Sequence, residues 1–151
     1  MVYDRFEKFT FSIFEIEKCW HKLTCEEMAE YDLKGSHSIY LITLSKYPEG
    51  VTATKLCEIC GKDKADVSRM MRIMSDKGLI VKEGCYKNNY GGVYKLTPEG
   101  KKAVRKVKDK VKLAVDAASE NLTDANRKSL YDSLELISAN LKRLVREGIP
   151  D

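Results

Sequence analysis

The segment from Lys62 to Thr97 constrains the fold of this chain more than any other. It begins with KDKADVSRMMRIMSDKGLI and continues through two short stretches, LIVKE and VYKLT, which the insert GCYKNNYGG separates. Apolar residues at helical spacing indicate an amphipathic helix, whereas alternating residues around a turn-rich insert indicate the two strands of a hairpin. The segment therefore predicts a helix followed by a β-hairpin.

The predicted helix has two faces of different chemistry. The apolar face carries Val67, Met70, Met71 and Met74. The opposite face carries small, hydroxyl and cationic side chains, namely Ala65, Ser68, Arg69 and Arg72. The major groove of DNA accepts such a face, because Arg reaches guanine O6 and N7 or phosphate oxygens and Ala permits a close approach. An ordinary core helix with a solvated polar face is the alternative interpretation, and the flanking segments favour the first.

Positive charge is concentrated in the same part of the chain. Residues 62–112 carry fifteen Lys and Arg against six Asp and Glu, whereas both flanking segments are mildly acidic and the whole chain has a net charge of +4. A basic block confined to the helix, hairpin and following helix indicates a polyanion-binding surface. A membrane surface fits less well, because no exposed row of Trp, Phe and Leu accompanies it. Part of the run KKAVRKVKDKVK is expected to be a solvated helix face.

Length and composition bound the class of protein. The 151 residues suit one domain, or one domain with extensions, and 43% hydrophobic residues are enough to build a packed core. The first residues include acids, and no segment approaches the length of a membrane span. Five cysteines without a secretion signal indicate reduced thiols rather than a disulfide framework. We therefore expect a cytoplasmic protein.

Capping and turn residues mark the predicted helix boundaries. The predicted N-caps are Ser36, Thr52, Asp63, Thr97 and Thr123. The predicted helix ends are Pro48, Gly61, Gly78 and Gly148. Gly91 and Gly92 supply the positive φ values that a hairpin turn needs. These signals predict a helix, a turn, a second helix, a turn, the amphipathic helix and then the hairpin.

Three rows of apolar residues at helical spacing lie near the two ends of the chain. The first row is Phe6, Phe9, Ile13, Ile16, Trp20 and Leu23. The second row is Val104, Val107, Val111, Ala114 and Ala118, and the third is Leu130, Leu134, Ile137, Leu141 and Leu144. The last two helices would each run about 20 residues, or roughly 30 Å, so they are expected to project from the central unit. Projecting apolar rows favour a dimer, with a bundle inside one chain as the alternative.

At these residues the chain resembles the MarR family of winged-helix transcriptional regulators. The resemblance covers nearly the whole chain and is carried by VTATKLCEICGKDKADVSRMMRIMSDKGLIVKE and VYKLTPEGKKAV. These stretches are similar to that family's helix-turn-helix, wing strand and LT-x-x-G motif at the start of the next helix. The resemblance implies a mainly α fold with a small β-hairpin wing. In that fold, N- and C-terminal dimerisation helices flank a winged helix-turn-helix.

The resemblance also implies a division of the chain and a function. Residues 1–34 are expected to form an N-terminal dimerisation helix and connecting loop, residues 35–97 the winged helix-turn-helix, and residues 98–151 the C-terminal dimerisation helices. The implied protein is a homodimer that binds a pseudo-palindromic operator in double-stranded DNA. It is expected to be a sequence-specific repressor that an effector releases, without a cofactor.

The predicted DNA contacts follow from this placement. Major-groove contacts are expected from Lys64, Ala65, Ser68, Arg69 and Arg72, with phosphate contacts from Thr52, Thr54, Lys55, Lys82, Lys87 and Lys95. Members of the family usually carry an Asp-x-Arg arrangement at the wing tip, and here no arginine is available there. Lys87 is the nearest cation. Because Lys is a hydrated point charge, we expect it to contact phosphate generically rather than to read the minor groove.

The regulatory input is less constrained. In the family fold, effectors usually act in a cleft lined by the end of the first helix, the following loop and the start of the second helix. The candidate effector residues there are Cys19, Trp20, Cys25, His37 and Tyr40. Cys19, His21, Cys25 and His37 also define a zinc-responsive alternative, and Cys19 or Cys25 a thiol-responsive one. Cys57 and Cys60 are interpreted as small core residues, because a helix carboxyl terminus does not stabilise thiolate.

Two further classes of protein remain as alternatives. An enzyme is poorly supported, because the chain has only two His and no phosphate-cradling Gly loop, and the neighbouring Glu26 and Glu27 point to different faces of a helix. A winged-helix module that binds only other proteins would share the fold without binding DNA.

Overall fold

The structure is a computed structural model that describes residues 2–84 and 91–150, with the side chains of residues 2 and 3 left out. Its helices are α1 (Val2–Leu23), α2 (Cys25–Ala29), α3 (Ser38–Ser45), α4 (Ala53–Cys60), α5 (Lys64–Asp76), α6 (Pro98–Ala118) and α7 (Asp124–Glu147), with a 3-10 turn over Gly35–His37. The strands are β1 (Ile80–Glu83) and β2 (Val93–Leu96). The predicted class, mainly α with a small β-hairpin, is confirmed.

Local side-chain caps begin four of these helices, α4, α5, α6 and α7, where the sequence predicts them. The Thr52 hydroxyl accepts a hydrogen bond from the Lys55 N–H at 3.2 Å. The Asp63 carboxylate accepts one from the Asp66 N–H at 2.8 Å, and the Thr123 hydroxyl accepts one from an N–H three residues later. Each cap satisfies a backbone donor that has no partner inside its helix.

The cap predicted at Ser36 is wrong. Ser36 lies inside the 3-10 turn, and α3 begins at Ser38. The neighbouring Gly35 lies so close to the end of α1 that an added Cβ would be 1.9 Å from the His21 carbonyl oxygen. The Thr24 hydroxyl also donates to the Gly35 carbonyl at 3.2 Å. Tertiary contact with α1 therefore shapes this segment more than the capping preference of one serine.

The hairpin pairs β1 with β2 in antiparallel register, with Ile80 opposite Leu96 and Glu83 opposite Val93. A third extended residue, Val51, joins the sheet through two backbone hydrogen bonds with Tyr94, at 3.0 and 2.8 Å. The sequence did not predict this bridge, which ties the base of the hairpin to the residue before the N-cap of α4. The predicted turn residues at the tip, apart from Gly91 and Gly92, lie outside the described residues.

The core lies between α2, α3, α4, α5, the hairpin and the first half of α6. Its buried apolar residues are Met28, Leu33, Tyr40, Leu41, Leu44, Val51, Leu56, Val67, Met70, Met71, Met74, Leu79, Ile80, Ala103, Val104 and Val107. The predicted apolar face of α5 is therefore confirmed. Each buried methionine of that face contributes roughly 1.5–3 kcal/mol of apolar transfer energy, which fixes the rotation of α5 about its axis.

The chain forms two compact units, residues 1–114 and residues 115–151. In the first unit, Val104 and Val107 belong to the core, so the prediction that the whole second apolar row projects from the central unit is wrong for these residues. The first apolar row stays largely exposed on α1, where Phe6 is 65% and Ile16 55% accessible.

The second unit contains the end of α6, a turn and α7. Arg127 closes the turn: its guanidinium donates to the Ser119 hydroxyl at 2.7 Å and to the Ser119 carbonyl at 3.4 Å. None of the described residues of α7 is buried, and its apolar row, including Leu130, Leu134 and Leu141, remains open to solvent. Among the helices of the described residues, none combines the length and apolar character needed to cross a membrane.

Candidate nucleic-acid interface

The face of α5 opposite the core is exposed. The exposed residues of α5 include Lys64, Ala65, Ser68, Arg69 and Arg72, the five that the sequence assigned to the major groove, and also Ser75 and Asp76. Because the methionine face is packed, these side chains point away from the protein. The helix therefore presents a small, hydroxyl-bearing and cationic surface that another molecule can approach without unpacking the core.

Three predicted contact residues lie together at the start of α4. Thr52 is the N-cap, and Thr54 and Lys55 are exposed in the first turn. The Lys55 ammonium lies 2.9 Å from the Glu58 carboxylate, an exposed pair that raises the pKa of Lys55. The free N–H groups of a first helical turn attract phosphate oxygens, so this position suits a backbone contact rather than base reading.

The two described hairpin lysines are held by neighbours on the sheet. The Lys82 ammonium lies 5.5 Å from the centre of the Tyr94 ring. The Lys95 ammonium lies 2.8 Å from the Glu83 carboxylate, which raises the pKa of Lys95. Both side chains are half-buried along the strands. The third predicted hairpin contact, Lys87, lies outside the described residues.

The first turn of α5 contains a hydrogen-bonded chain that begins in the core. Tyr40 of α3 is only 1% exposed, and its hydroxyl donates to Asp66 Oδ2 at 3.0 Å. The other carboxylate oxygen, Asp66 Oδ1, accepts a hydrogen bond from the Arg69 guanidinium. The hydrogen bond from Tyr40 and then the Arg69 guanidinium lower the pKa of Asp66. Burial, followed by the bond to Asp66, raises the pKa of the Tyr40 hydroxyl.

The sequence did not predict that Asp66 links Tyr40 to Arg69 through hydrogen bonds. The Asp66 N–H does donate to Asp63, but its carboxylate is taken up by Tyr40 and Arg69. The spacing of three residues between Asp66 and Arg69 signals their pairing on a helix. Nothing in the sequence signals Tyr40, which is 26 residues away.

Some of the lysines in the basic segment 62–112 are paired with acidic side chains. Lys106 pairs with Glu30, and Lys110 lies 3.4 Å from Glu26 and 3.6 Å from Glu27. These pairs join α6 to α2 and raise the pKa values of both lysines. Within the described ranges, Lys64 and Arg72 of α5 have no ion pair with an acidic side chain. These two cations of α5 are therefore available to an anionic partner.

The five candidate effector residues are distributed between the surface and the core. Cys19 and Cys25 are exposed, Trp20 and His37 are half-buried, and Tyr40 is in the core. His37 Nδ1 accepts a hydrogen bond from the Lys34 N–H at 3.1 Å, and burial followed by the charge of Lys34 lowers the pKa of His37. The Tyr40 hydroxyl is directed at Asp66 of α5 rather than at an open cleft.

The structure does not assemble the predicted metal ligands. Among the residues that the structure describes, no three His, Cys, Asp or Glu side chains are grouped so that they could hold a metal ion. Cys57 and Cys60 pack as half-buried residues against the core, and burial raises the pKa of the Cys60 thiol. Cys60 Sγ lies 3.7 Å from the Thr43 hydroxyl. Their interpretation as structural residues agrees with this placement.

A cavity of about 640 Å³ lies between the end of α3, the hairpin and α6. Apolar residues such as Leu44, Leu96 and Val104 contribute to its lining, together with Lys101, Arg105 and Lys108 of α6. None of the five candidate effector residues lines it. It lies beside the opposite end of α3 from the predicted effector cleft.

Solved structures share this architecture over nearly the full chain. A MarR transcriptional regulator from Methanosarcina mazei Go1 aligns with a TM-score of 0.81 and 18% identity, covering 91% of this chain and 99% of that one. An uncharacterised SlyA-like transcription regulator from Listeria monocytogenes aligns with a TM-score of 0.78 and 22% identity, covering 93% and 95%. A proposed MarR family regulator from the same species, complexed with a 26-mer DNA, aligns with a TM-score of 0.78 and 21% identity, covering 94% and 96%.

No protein-family model matches the sequence. The structural likeness nevertheless defines the class of fold: this chain has the winged-helix fold of the MarR family transcriptional regulators. The resemblance inferred from the helix-turn-helix and the Leu96–Gly100 motif is confirmed at the level of the fold.

Proposed function

We propose that this protein is a sequence-specific, double-stranded DNA-binding transcriptional regulator. The observation that carries the proposal is the orientation of α5. Its methionine face packs in the core, and its opposite face exposes Ala65, Ser68, Arg69 and Arg72. Such a helix fits the major groove, and the hairpin beside it supplies cations for the adjoining backbone. The structural neighbour complexed with a 26-mer DNA has the same fold.

The proposed active form is a homodimer on a pseudo-palindromic operator. Exposed apolar rows on α1 and α7 support it, because Phe6, Ile16 and Leu134 remain 65%, 55% and 45% accessible in one chain. An exposed row of apolar residues along one helix often marks an interaction site. A two-fold dimer carries two copies of α5, which would read two inverted half-sites about one helical turn apart.

Duplex binding at two salt concentrations tests the proposal directly. A fluorescent random-sequence duplex is titrated with protein at about 50 and 200 mM salt, and affinity is expected to fall steeply, because neutralised phosphates release counterions. Selection from a pool of random duplexes is then expected to enrich an inverted repeat. A protein that binds no duplex at either salt concentration contradicts the proposal and favours the protein-contact module.

Charge-reversal variants provide the control. Arg72→Glu changes the exposed face of α5, whereas Arg143→Glu changes an exposed arginine of α7 by the same charge. The two variants have the same net charge, so generic electrostatics predicts equal losses of affinity. The proposal predicts a much larger loss for Arg72→Glu. Equal losses would mean that α5 is not the contact surface.

Repression with release by an effector is the regulatory mode that we propose. Repression requires only that the dimer occupy its operator, so it needs no protein contact beyond duplex binding. Release requires an effector that prefers the unbound form, since a ligand shifts an equilibrium only by its differential affinity. Cys19, Trp20, Cys25, His37 and Tyr40 remain the predicted effector residues. Tyr40 would act from the core, through its contact with Asp66.

The metal- and thiol-responsive versions are separated by two measurements on the same operator complex. Zinc addition is expected to leave the DNA affinity unchanged, because the described residues do not bring three metal ligands together. Peroxide treatment tests the exposed thiols of Cys19 and Cys25. A loss of affinity that disappears in the Cys19→Ser, Cys25→Ser double variant would establish a thiol switch.

A further inference from the structure

Asp66 is an acidic residue on a surface otherwise suited to an anion. It lies in the first turn of α5, beside the cations that face outward, and its side chain is 26% exposed. A negative charge in this position repels phosphate and weakens duplex binding in general. Its two carboxylate oxygens are both engaged, one by Tyr40 and one by Arg69. Attraction to DNA therefore does not explain the presence of Asp66 at this position.

Tyr40 fixes the position of the carboxylate. The tyrosine ring lies in the core on α3, and its hydroxyl reaches Asp66 Oδ2 at 3.0 Å. The Asp66 N–H is bound to the Asp63 carboxylate at 2.8 Å, which fixes the backbone at the same point. The raised pKa of Tyr40 and the lowered pKa of Asp66 keep the donor protonated and the acceptor ionised. Asp66 is thus fixed at two points, its carboxylate by the core residue Tyr40 and its backbone by the N-cap residue Asp63.

Asp66 in turn restrains Arg69. An exposed Asp–Arg pair one turn apart on a helix is weak by itself, and a free arginine side chain loses much rotamer freedom when it binds. Anchoring the carboxylate removes freedom from one member of the pair before DNA arrives. A guanidinium has five N–H donors, so a bond to Asp66 leaves others for a base edge. Preorganisation of this kind lowers the entropic cost of the base contact that Arg69 makes, so the benefit applies to the duplex that offers this contact.

We infer that Asp66 and Tyr40 are positioning residues that hold Arg69 for base reading, so that the protein gives up non-specific duplex affinity in exchange for sequence preference. The inference rests on the proposed DNA-binding function and adds a role for a residue pair that need not touch DNA. It differs from a purely structural role for the pair, which would change stability without changing the preference between duplexes.

The test compares two duplexes, the one that wild-type protein selects from a random pool and a scrambled duplex of the same composition. The variants are Asp66→Asn and Tyr40→Phe. Asp76→Asn is the matched control for charge, because Asp76 is an exposed acid at the other end of α5. Tyr47→Phe is the matched control for loss of a phenol hydroxyl. Thermal unfolding of each variant is recorded first, so that binding is measured on folded protein.

Asp66→Asn is expected to bind the scrambled duplex more tightly than wild type, with the salt dependence steeper by about one ion. Its preference for the selected duplex is expected to fall by about fivefold or more, the size of one lost base contact. Tyr40→Phe is expected to lose preference by a few-fold with unchanged salt dependence, since it removes no charge. Both controls should keep the wild-type preference.

A double variant isolates the route through Arg69. In an Arg69→Ala background, Asp66→Asn is expected to cause no further loss of preference, because the side chain that it positions is absent. An equal fold-loss in both backgrounds would overturn the inference, as would unchanged preference in Asp66→Asn. Unchanged preference in Tyr40→Phe would show that the Tyr40 hydroxyl does not help to position Arg69. If wild-type protein binds all duplexes equally, the inference is overturned, although duplex binding itself stands. If wild-type protein binds no duplex, the proposed function itself is contradicted.

Discussion

The Thr97 hydroxyl donates a hydrogen bond of 2.6 Å to the Gly78 carbonyl oxygen, joining the start of α6 to the end of α5. The same hydroxyl accepts a hydrogen bond from the Gly100 N–H at 3.0 Å, and the Thr97 N–H donates to the Leu79 carbonyl at 3.0 Å. One threonine therefore caps α6 and joins it to the end of α5. This joint gives a physical reason for the Leu-Thr-x-x-Gly pattern.

Gly100→Ala is expected to destabilise the protein strongly. An added Cβ would lie 1.9 Å from the Leu79 carbonyl oxygen, which is backbone and cannot move aside cheaply. We expect a loss of about 3 kcal/mol in the free energy of unfolding, measured by urea denaturation. In a helix without this contact, Gly→Ala stabilises by roughly 0.5–1 kcal/mol. An unchanged or increased free energy of unfolding would therefore contradict the close packing of α6 on the end of α5.

Thr97→Val is expected to cost about 1–2 kcal/mol, because it keeps the shape of the side chain and removes both hydroxyl hydrogen bonds. Thr54→Val is the matched control, since Thr54 is exposed in the first turn of α4. Chemical denaturation of both variants measures the difference. Equal losses in the two variants would show that the hydroxyl of Thr97 does not hold the joint.

Elements with local causes were predictable from the sequence. The caps at Thr52, Asp63 and Thr123 each bond an N–H three residues later, so their signal lies within one turn of helix. The buried face of α5 follows from a period of 3.6 residues, and the exposed cationic face follows with it. These features needed no knowledge of the rest of the chain.

Elements set by distant contacts were not predictable in the same way. Val51 joins the sheet because it lies opposite Tyr94, 43 residues later. The start of α3 is set by Gly35 against the end of α1, and Asp66 is engaged by a tyrosine on another helix. In each case the determining partner is far away in sequence, and no local pattern records it. The DNA contacts themselves remain predictions, because they depend on a partner outside the chain.

His37 is expected to make stability depend on pH. Its pKa lies below the ordinary value of 6.5, because burial disfavours the charged form and because Lys34 is close. Its neutral Nδ1 accepts the Lys34 N–H, and protonation would end that bond. Asp66 opposes this shift, whereas Arg69 and Lys62 add to it. A lowered folded-state pKa contributes stability above the unfolded value that is lost as pH falls through the folded value.

The free energy of unfolding should therefore fall as pH decreases below about 6.5. His37→Asn keeps an acceptor atom without a titrating group, and should show a smaller fall. His21→Asn changes the other histidine of the chain, which is exposed at the end of α1, and should keep the wild-type fall. Denaturation curves at pH values on both sides of this range measure the effect. A His37→Asn variant with the wild-type pH dependence would exclude His37 as its source.

Arg69→Ala is expected to weaken binding to the selected operator by about 1–3 kcal/mol and to relax preference at one base position of each half-site. Lys87→Ala is expected to weaken all duplexes to a similar extent and to lower the salt dependence by about one ion. Fluorescence titrations against the operator and its single-base variants distinguish the two outcomes. A sequence-selective loss in Lys87→Ala, or none in Arg69→Ala, would contradict the assigned roles.

Leu134→Glu is expected to dissociate the dimer. Leu134 belongs to the apolar row of α7 and is 45% exposed in one chain. Burying a carboxylate at this position in a dimer interface would cost more free energy than the contact of one leucine contributes. Leu136 is the matched control: it is 63% exposed on the same helix, and at about 100° per residue it lies roughly 120° from the row. Sedimentation equilibrium should give a dimer for wild type and Leu136→Glu and a monomer for Leu134→Glu.

Because one protomer reads only one half-site, Leu134→Glu should also lose its preference for an inverted repeat over a single half-site. A wild-type monomer, or a Leu134→Glu dimer, would require a different surface to bring two copies of α5 together.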